Sequence, residues 1–210
     1  AEDESLAAWY RMDEVVLAND LRKIADASGN GRDLTLGDGC RLTNGIAGSG
    51  LHFDGTANAW STLTTPALGN RTVSMLFCRE QGNGPLLEGQ TTYPYVIASL
   101  STMNIHFYTT ADGCLAYVTG RPVFLSGATF PRGQWNHLAW VYEQTETETA
   151  NVFTAVCKFY RNGILTSTSA SYTLTNTAAA GTTLLGSSYD HTRPIYGVLD
   201  EVRVYGAALT

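Results

Sequence analysis

Short strand-like runs separated by turn signals follow one another along the chain, and this pattern constrains the fold more than any other feature of the sequence. The runs are rich in apolar, β-branched and aromatic residues, as in TVSMLFC, WNHLAWVYE and NVFTAVCKFY. Asp112-Gly113 and Asn162-Gly163 accept the positive φ angles of tight hairpins, so neighbouring runs are expected to pair antiparallel. The sequence therefore predicts an all-β, antiparallel β-sandwich.

Composition favours one domain of this kind. The 210 residues are 44% hydrophobic and 10% aromatic, which is enough for a sizeable core, and the 21 glycines suit turns better than helices. The sequence contains neither an internal repeat nor a linker-like stretch. Residues 1–210 are therefore expected to form a single domain.

Residues 15–25, VVLANDLRKIA, are the one segment with helical spacing of apolar residues. Val16, Leu17, Leu21 and Ile24 would lie on one side of a helix, with charged residues on the other. This segment is predicted to be either one short helix or an extended insertion.

The charge of the chain excludes one class of partner. The formal net charge is −6, and the only two lysines are Lys23 and Lys158, so no basic surface is expected for a nucleic-acid backbone. No apolar run approaches the length of a membrane span. The acidic first residues do not read as a signal peptide, so a secreted form would have lost its signal already.

The four cysteines are spaced too widely for a zinc or redox motif. Cys78 and Cys157 lie inside apolar runs, where a thiol behaves as a small hydrophobic group. Buried, unpaired cysteines are therefore expected, with disulfides as the alternative.

Tryptophans in strand-like contexts are expected to fill the core. This prediction covers Trp9, Trp135 and Trp140, and the expected core also includes Leu138, Phe159 and Val202. His137 is expected to be a hydrogen-bonded structural residue, because no serine or cysteine nucleophile motif accompanies it.

Three motifs together point to a known family. They are the strand start Trp135-Asn136-His137, the hairpin Tyr-x-Asn-Gly ending at Gly163, and the closing Gly-x-x-Asp-Glu-x-x-x-Tyr of residues 197–205. The chain resembles the laminin G-like, concanavalin A-like jelly-roll domains of secreted and cell-surface proteins. This resemblance covers nearly the whole chain and implies a jelly-roll sandwich in a secreted or cell-surface protein.

The string Asp26-Ala27-Ser28-Gly29-Asn30-Gly31 begins as a calcium loop does, with oxygen side chains at alternate positions followed by a glycine. The twelfth position is Gly37 instead of glutamate, which excludes the helix-loop-helix calcium motif. Related jelly rolls commonly hold calcium between this loop and the aspartate of the last strand. The resemblance thus implies a structural calcium site of Asp26, Asn30 and Asp200, with carbonyls such as those of Gly29 and Arg32. Ordinary turn residues are the alternative.

Two loops combine aromatic rings with polar groups that could bind sugar hydroxyl groups. The predicted ligand-binding residues are Tyr189, Asp190, His191 and Arg193 in one loop, with Tyr93 and Tyr95 in the other. Solvated loops without a ligand are the alternative reading. The expected partner is a glycan or an extracellular protein.

Glycoside hydrolysis needs two carboxyl groups that flank the scissile bond. Asp13-Glu14 and Asp200-Glu201 are adjacent pairs, whose side chains point in opposite directions on a strand. Glu146 and Glu148 alternate correctly, but their polar surroundings predict an exposed hairpin loop. A non-catalytic, lectin-like recognition module is therefore favoured, a structural or adhesion domain is the alternative, and a glycoside hydrolase is favoured least.

Overall fold

The computed structural model describes residues 4–56, 59–65, 69–80, 95–100, 103–107, 114–118, 121–125, 131–175, 181–187 and 194–209. Within these ranges the chain forms 18 β-strands and no helix. The first nine are β1 (Leu6–Tyr10), β2 (Val16–Ala18), β3 (Leu21–Ile24), β4 (Leu34–Leu36), β5 (Cys40–Asn44), β6 (Ser49–Asp54), β7 (Ala59–Thr65), β8 (Arg71–Arg79) and β9 (Tyr95–Leu100). The second nine are β10 (Met103–Phe107), β11 (Cys114–Val118), β12 (Arg121–Leu125), β13 (Trp135–Glu146), β14 (Val152–Arg161), β15 (Ile164–Thr168), β16 (Tyr172–Thr175), β17 (Gly181–Leu185) and β18 (Tyr196–Tyr205).

The strands form two nine-stranded sheets. The first sheet has the order β15-β14-β13-β8-β18-β6-β5, with β1 added beside β18 and β16 beside β14. The second sheet has the order β12-β11-β10-β9-β17-β7-β4-β3-β2. The last strand, β18, lies between β8 and β6 and pairs antiparallel with both. This crossed connectivity confirms the antiparallel jelly-roll β-sandwich.

Side-chain alternation along the long strands fills the space between the two sheets. In β13, Leu138 and Trp140 are buried, and Phe159 of the neighbouring β14 packs against Trp140 with ring centroids 4.8 Å apart. Val202 of β18 is also buried, and Leu34 of the second sheet belongs to the same apolar cluster. Each such side chain contributes roughly 1.5–3 kcal/mol on burial. These residues confirm most of the predicted core.

Trp9 and Trp135 lie outside this core, so their predicted placement is wrong. Ala8 and Tyr10 take the inward positions of β1, which turns Trp9 to the outer face of the first sheet. Trp135 is two positions from His137 on the outward-facing set of β13, and both are only partly buried. Their strands were predicted correctly, but the face that each tryptophan occupies was not.

Residues 15–25 form a hairpin, so the helix alternative is wrong and the extended alternative is confirmed. Strands β2 and β3 pair antiparallel, and Asn19 and Asp20 at the turn have φ angles of 51° and 61°. Asn and Asp tolerate this left-handed region, which a helix interior would not contain. Leu17 is 77% exposed, as expected for an edge strand and not for the buried side of a helix.

The predicted hairpin at Asn162-Gly163 is confirmed by φ angles of 50° and 78°. The Asp112-Gly113 turn lies outside the described residues, although β10 and β11 on either side of it pair antiparallel.

The thiols of Cys40, Cys78 and Cys157 are free and buried, as predicted. Burial raises the pKa of Cys40 to about 12 and that of Cys157 to about 11. These thiols are therefore inert in the folded state. None of the described segments is a helix long and apolar enough to cross a membrane.

Candidate functional site

One line of outward-facing side chains crosses six adjacent strands of the first sheet. The register pairs Leu165 with Tyr160, Tyr160 with Ala139, Ala139 with Ser74, Ser74 with Arg203 and Arg203 with Trp9. We call this set the Ser74 row. Adjacent strands are about 4.8 Å apart, so the row is about 24 Å long.

The side chains of the Ser74 row are small in the middle of the row and large at its two ends. Ala139 and Ser74 have small side chains, and both are partly exposed. Tyr160 and Leu165 form one end, where Leu165 is 49% exposed, and Trp9 forms the other. The small side chains of Ala139 and Ser74 leave a shallow groove in the row, between the larger side chains at its two ends.

The C-terminal segment lies along one side of this groove. Thr72, the next outward residue on β8 after Ser74, donates a hydrogen bond from Oγ1 to the carbonyl of Ala207 at 2.9 Å. The same Oγ1 accepts a hydrogen bond from the amide of Leu209, also at 2.9 Å. Thr72 and its cross-strand partner Val141 are consequently almost fully buried on a face where Ser74 is accessible.

His137 lies on the opposite side of the groove. Its Nε2 is 2.8 Å from Oγ of Ser74, and its amide donates to Oδ1 of Asn162 at 2.9 Å. Burial and the nearby charge of Arg203 lower the pKa of His137, so the imidazole is neutral at pH 7. This agrees with the prediction of a hydrogen-bonded histidine, and the Ser74–His137 pair presents both a donor and an acceptor.

Trp9 is held in a small charged cluster at its end of the row. Its Nε1 donates to Oε2 of Glu201 at 2.8 Å, and the same oxygen accepts from Arg203. The guanidinium carbon of Arg203 is 4.7 Å from the indole centroid, and that of Arg11 is 5.6 Å from it. Cation–π contacts of this kind are worth roughly 0.5–1 kcal/mol at exposed sites.

A small cavity lies beside this cluster, between residues 11–14 and the end of β3. Its volume is about 200 Å³, and Arg11, Met12 and Ile24 are among its lining residues. Ligand cavities usually have volumes of about 300–1,000 Å³. The cavity is therefore smaller than a usual ligand site.

The predicted calcium loop is anchored to β1 by its own polar groups. Both carboxylate oxygens of Asp26 accept backbone hydrogen bonds, Oδ1 from Trp9 and Ser28 and Oδ2 from Arg32. Burial alone would raise the pKa of Asp26, but these bonds outweigh it and lower the pKa. Asn30 uses its amide nitrogen to donate to the carbonyls of Leu6 and Ala7. The carbonyl of Arg32 accepts from the Tyr10 hydroxyl group at 2.8 Å.

Asp200 accepts hydrogen bonds from a different turn, which contains Ile46 and Ala47. Its Oδ2 accepts from the amides of Ile46 and Ala47 at 2.9 and 3.1 Å, while its buried Oδ1 has no hydrogen-bond partner in the described part of the chain. No cluster of three or more metal-binding side chains occurs among the described residues. The calcium site of Asp26, Asn30 and Asp200 stays a sequence-based prediction.

The predicted ligand loops are not among the described residues. Tyr189, Asp190, His191, Arg193 and Tyr93 lie outside the described ranges. Tyr95 begins β9, but its side chain is outside the described set. These six residues also stay a sequence-based prediction.

Sequence reasoning missed the Ser74 row, because its members come from six separate strands. Four of them, Trp9, Ser74, Ala139 and Arg203, are ordinary outward positions between two core residues, as Ser74 is between Val73 and Met75. Outward positions can be predicted from alternation once the inward set is known. Whether such outward residues line up across the sheet depends on the register between strands that are not consecutive in the sequence.

The fold and its outer face define a class, the jelly-roll β-sandwich domains that include both binding modules and glucanases. The family model described as the concanavalin A-like lectin/glucanases superfamily, Laminin_G_3, matches residues 54–210. The chain belongs to this family, as its motifs predicted.

Solved structures share this fold at low sequence identity. Domain 4 of AbnA, a GH43 extracellular arabinanase from Geobacillus stearothermophilus, in complex with arabinotriose, is 21% identical, with a TM-score of 0.66 over 98% of this chain and 94% of that chain. The binding domain of Paraclostridial Mosquitocidal Protein 1 is 12% identical, with a TM-score of 0.64 over 99% of this chain and 50% of that chain.

The receptor binding domain of botulinum neurotoxin D is 13% identical, with a TM-score of 0.64 over 100% of this chain and 51% of that chain. This chain thus spans about half the length of the toxin domains that it matches. Comparison with curated protein sequences finds no match.

Proposed function

We propose that this chain is a non-catalytic, lectin-like recognition module that binds carbohydrate in the Ser74 row. The observation that carries the proposal is the alignment of large side chains, exposed at Leu165 and partly exposed at Tyr160 and Trp9, on either side of the small residues Ala139 and Ser74. Tyr160 offers a partly exposed ring for the apolar face of a sugar, and Ser74 and His137 offer hydrogen bonds for hydroxyl groups. The arabinanase domain of the same fold, in complex with arabinotriose, supports a carbohydrate ligand.

The described carboxylates favour binding over glycoside hydrolysis. Glu146 ends β13 and Glu148 follows in its turn, and both are exposed, as the sequence predicted. Glu201 accepts hydrogen bonds from Trp9 and Arg203, so the same carboxylate oxygen is already engaged by two donors of the protein.

The Ser74–His137 pair also favours binding. A serine nucleophile needs a histidine base that a third group orients. Among the residues that the structure describes, no carboxylate contacts the ring of His137. The pair therefore lacks the orienting group of a catalytic triad within the described part of the chain.

A secreted or cell-surface location is part of this proposal. The arabinanase whose domain 4 shares this fold is described as extracellular, which supports it. A single domain over residues 1–210 is proposed on the same basis, since the arabinanase domain is matched over 94% of its length.

A glycan array and affinity electrophoresis with soluble polysaccharides test the proposal. The wild-type chain should be retained by at least one polysaccharide without releasing reducing ends. Tyr160→Ala and Leu165→Ala should each weaken that binding about tenfold, equivalent to about 1.4 kcal/mol. Leu17→Ala is the matched control, because Leu17 is an exposed leucine on β2 of the other sheet.

The loops predicted from the sequence provide the competing outcome. If Tyr189→Ala combined with His191→Ala abolishes binding while Tyr160→Ala has no effect, the ligand binds at the loop and the Ser74 row is not the site. Release of reducing ends would assign a hydrolase. Binding to no glycan would leave the structural or adhesion role.

A further inference from the structure

Given a carbohydrate ligand in the Ser74 row, we infer that the ligand is an uncharged polysaccharide bound along an internal segment of its chain. This inference rests on the proposed function and narrows it. It depends on the charge balance around the groove and on where the groove ends.

The charged side chains around the groove are paired with one another. Arg203 pairs with Glu201, and Lys158, the next outward residue on β14, pairs with Glu143. Beyond Trp9, Nε of Arg11 is 3.1 Å from Oδ2 of Asp13. Each of these three cations therefore has its own carboxylate within the protein.

The centre of the groove carries no formal charge. His137 is flanked by Arg203 of β18 and Ser74 of β8, and its imidazole shares a hydrogen bond with the Ser74 hydroxyl group. A carboxylate or sulfate group brought into this position would lose water and would meet only the Arg203 guanidinium, which Glu201 already pairs, so its transfer is costly. Hydroxyl groups of a neutral sugar lose less water and find a donor and an acceptor there.

The groove extends to the edge of the sheet. Strand β15 is the edge strand in the main order of the first sheet, and its Leu165 is exposed. At the other end Trp9 lies on β1, which is added beside β18 outside the main strand order. The row of about 24 Å is long enough for several sugar units, and a chain that passes over its end residues can continue in both directions.

Isothermal titration calorimetry on the full chain tests both parts of the inference. The neutral probes are linear arabinan, xylan and mixed-linkage β-glucan, and the anionic probes are polygalacturonate and heparin. At least one neutral polymer should bind, and its affinity should change by less than about twofold between low and high sodium chloride, because screening has no charged pair to act on. Its oligosaccharides should gain affinity from the monosaccharide to the tetrasaccharide.

A charge placed in the groove provides a second measurement. Ala139→Lys should weaken neutral binding at least tenfold and create salt-sensitive binding of polygalacturonate. Thr166→Lys is the matched control, since Thr166 is exposed on β15 but alternates with Leu165 of the row. The control should keep neutral binding and should not bind polygalacturonate. Melting curves confirm that both variants are folded.

The outcomes separate this inference from the proposed function. Preferential, salt-sensitive binding of heparin or polygalacturonate that Tyr160→Ala abolishes would overturn the neutral ligand while leaving recognition in the Ser74 row. A monosaccharide that binds as tightly as the hexasaccharide would overturn binding along the chain. Binding that Tyr160→Ala, Leu165→Ala and Ala139→Lys all leave unchanged would overturn the site itself.

Discussion

Arg203 lies directly opposite Trp9 in the pairing of β18 with β1, and its guanidinium carbon is 4.7 Å from the centre of the indole ring. Glu201 accepts a hydrogen bond from each of them through one oxygen. The first and last strands are thus joined by side chains as well as by their backbone ladder. This cluster also orients the ring at one end of the groove.

Trp9→Phe should lower the free energy of unfolding by about 1 kcal/mol, because it keeps an aromatic face for Arg203 but removes the Nε1 donor to Glu201. Trp9→Ala should cost more, since the cation–π contact and the packing are also lost. Urea denaturation measures both. Arg11→Ala is the control, and its exposed, 5.6 Å contact predicts a loss below about 0.5 kcal/mol. Equal losses for Arg11→Ala and Trp9→Ala would contradict this ranking.

Gly186 and Gly29 form a matched pair that separates steric overlap from backbone strain. Their φ angles are +80° and +81°, so alanine is equally strained at either position. A Cβ atom at Gly186 would lie 2.1 Å from a ring carbon of Phe53, whereas Gly29 has nothing within 4 Å of that position.

Gly29→Ala should therefore cost about 1–2 kcal/mol from the left-handed conformation alone. Gly186→Ala should cost at least about 2 kcal/mol more, because Phe53 is fully buried and has little room to move. Chemical denaturation of the two variants gives the difference directly. Similar losses would mean that the core around Phe53 relaxes.

Alternation and turn chemistry made most of the fold predictable from the sequence. Leu138, Trp140, Phe159 and Val202 were assigned to the core because each lies in a strand flanked by outward residues. The Asn162-Gly163 turn was assigned from the conformational tolerance of its two residues. These are local properties, so they need no knowledge of the partner strand.

The predictions failed where the local sequence pattern fits two different structures. Trp9 is a large aromatic residue in a strand, but whether it faces the core depends on which of its neighbours the second sheet covers. Leu17 and Leu21 fit a helical spacing and a hairpin equally well, and the turn at Asn19 and Asp20 decides between them. The groove at Ser74 depends on pairing between β18 and β8, which are far apart in the sequence.

Calcium binding remains a prediction, and thermal melts with calcium and with a chelator test it. The amide hydrogen bonds to Asp26 lead us to expect the same Tm in both conditions. Asp26→Ala should nevertheless lower the free energy of unfolding by about 3 kcal/mol, since three backbone donors lose a charged acceptor. A higher Tm with calcium that Asp26→Ala abolishes would establish the metal site instead.

Asp200 should give the stability of this protein an unusual dependence on pH. Burial raises the pKa of Asp200, and the hydrogen bonds from Ala47 and Ile46 offset this only in part. The folded state therefore binds the proton more tightly than the unfolded state, whose pKa is near the ordinary 3.8. The resulting stabilisation is complete below that value and is lost as the pH rises through the folded-state pKa.

Asp200→Asn should remove this dependence, because its amide oxygen can still accept from Ile46 and Ala47 but does not titrate. Measured by urea denaturation from about pH 2.5 to pH 7, the wild-type stability should fall relative to that of Asp200→Asn as the pH rises above 3.8. Asp26→Asn is a control whose pH dependence should have the opposite direction. The lowered pKa of Asp26 stabilises the fold above pH 3.8, and this stabilisation is lost as the pH falls through the folded-state pKa. The difference between wild type and Asp26→Asn should therefore shrink towards low pH, while the difference for Asp200→Asn changes in the other direction. Parallel curves for wild type and Asp200→Asn would show that the Asp200 carboxyl group does not titrate abnormally in this range.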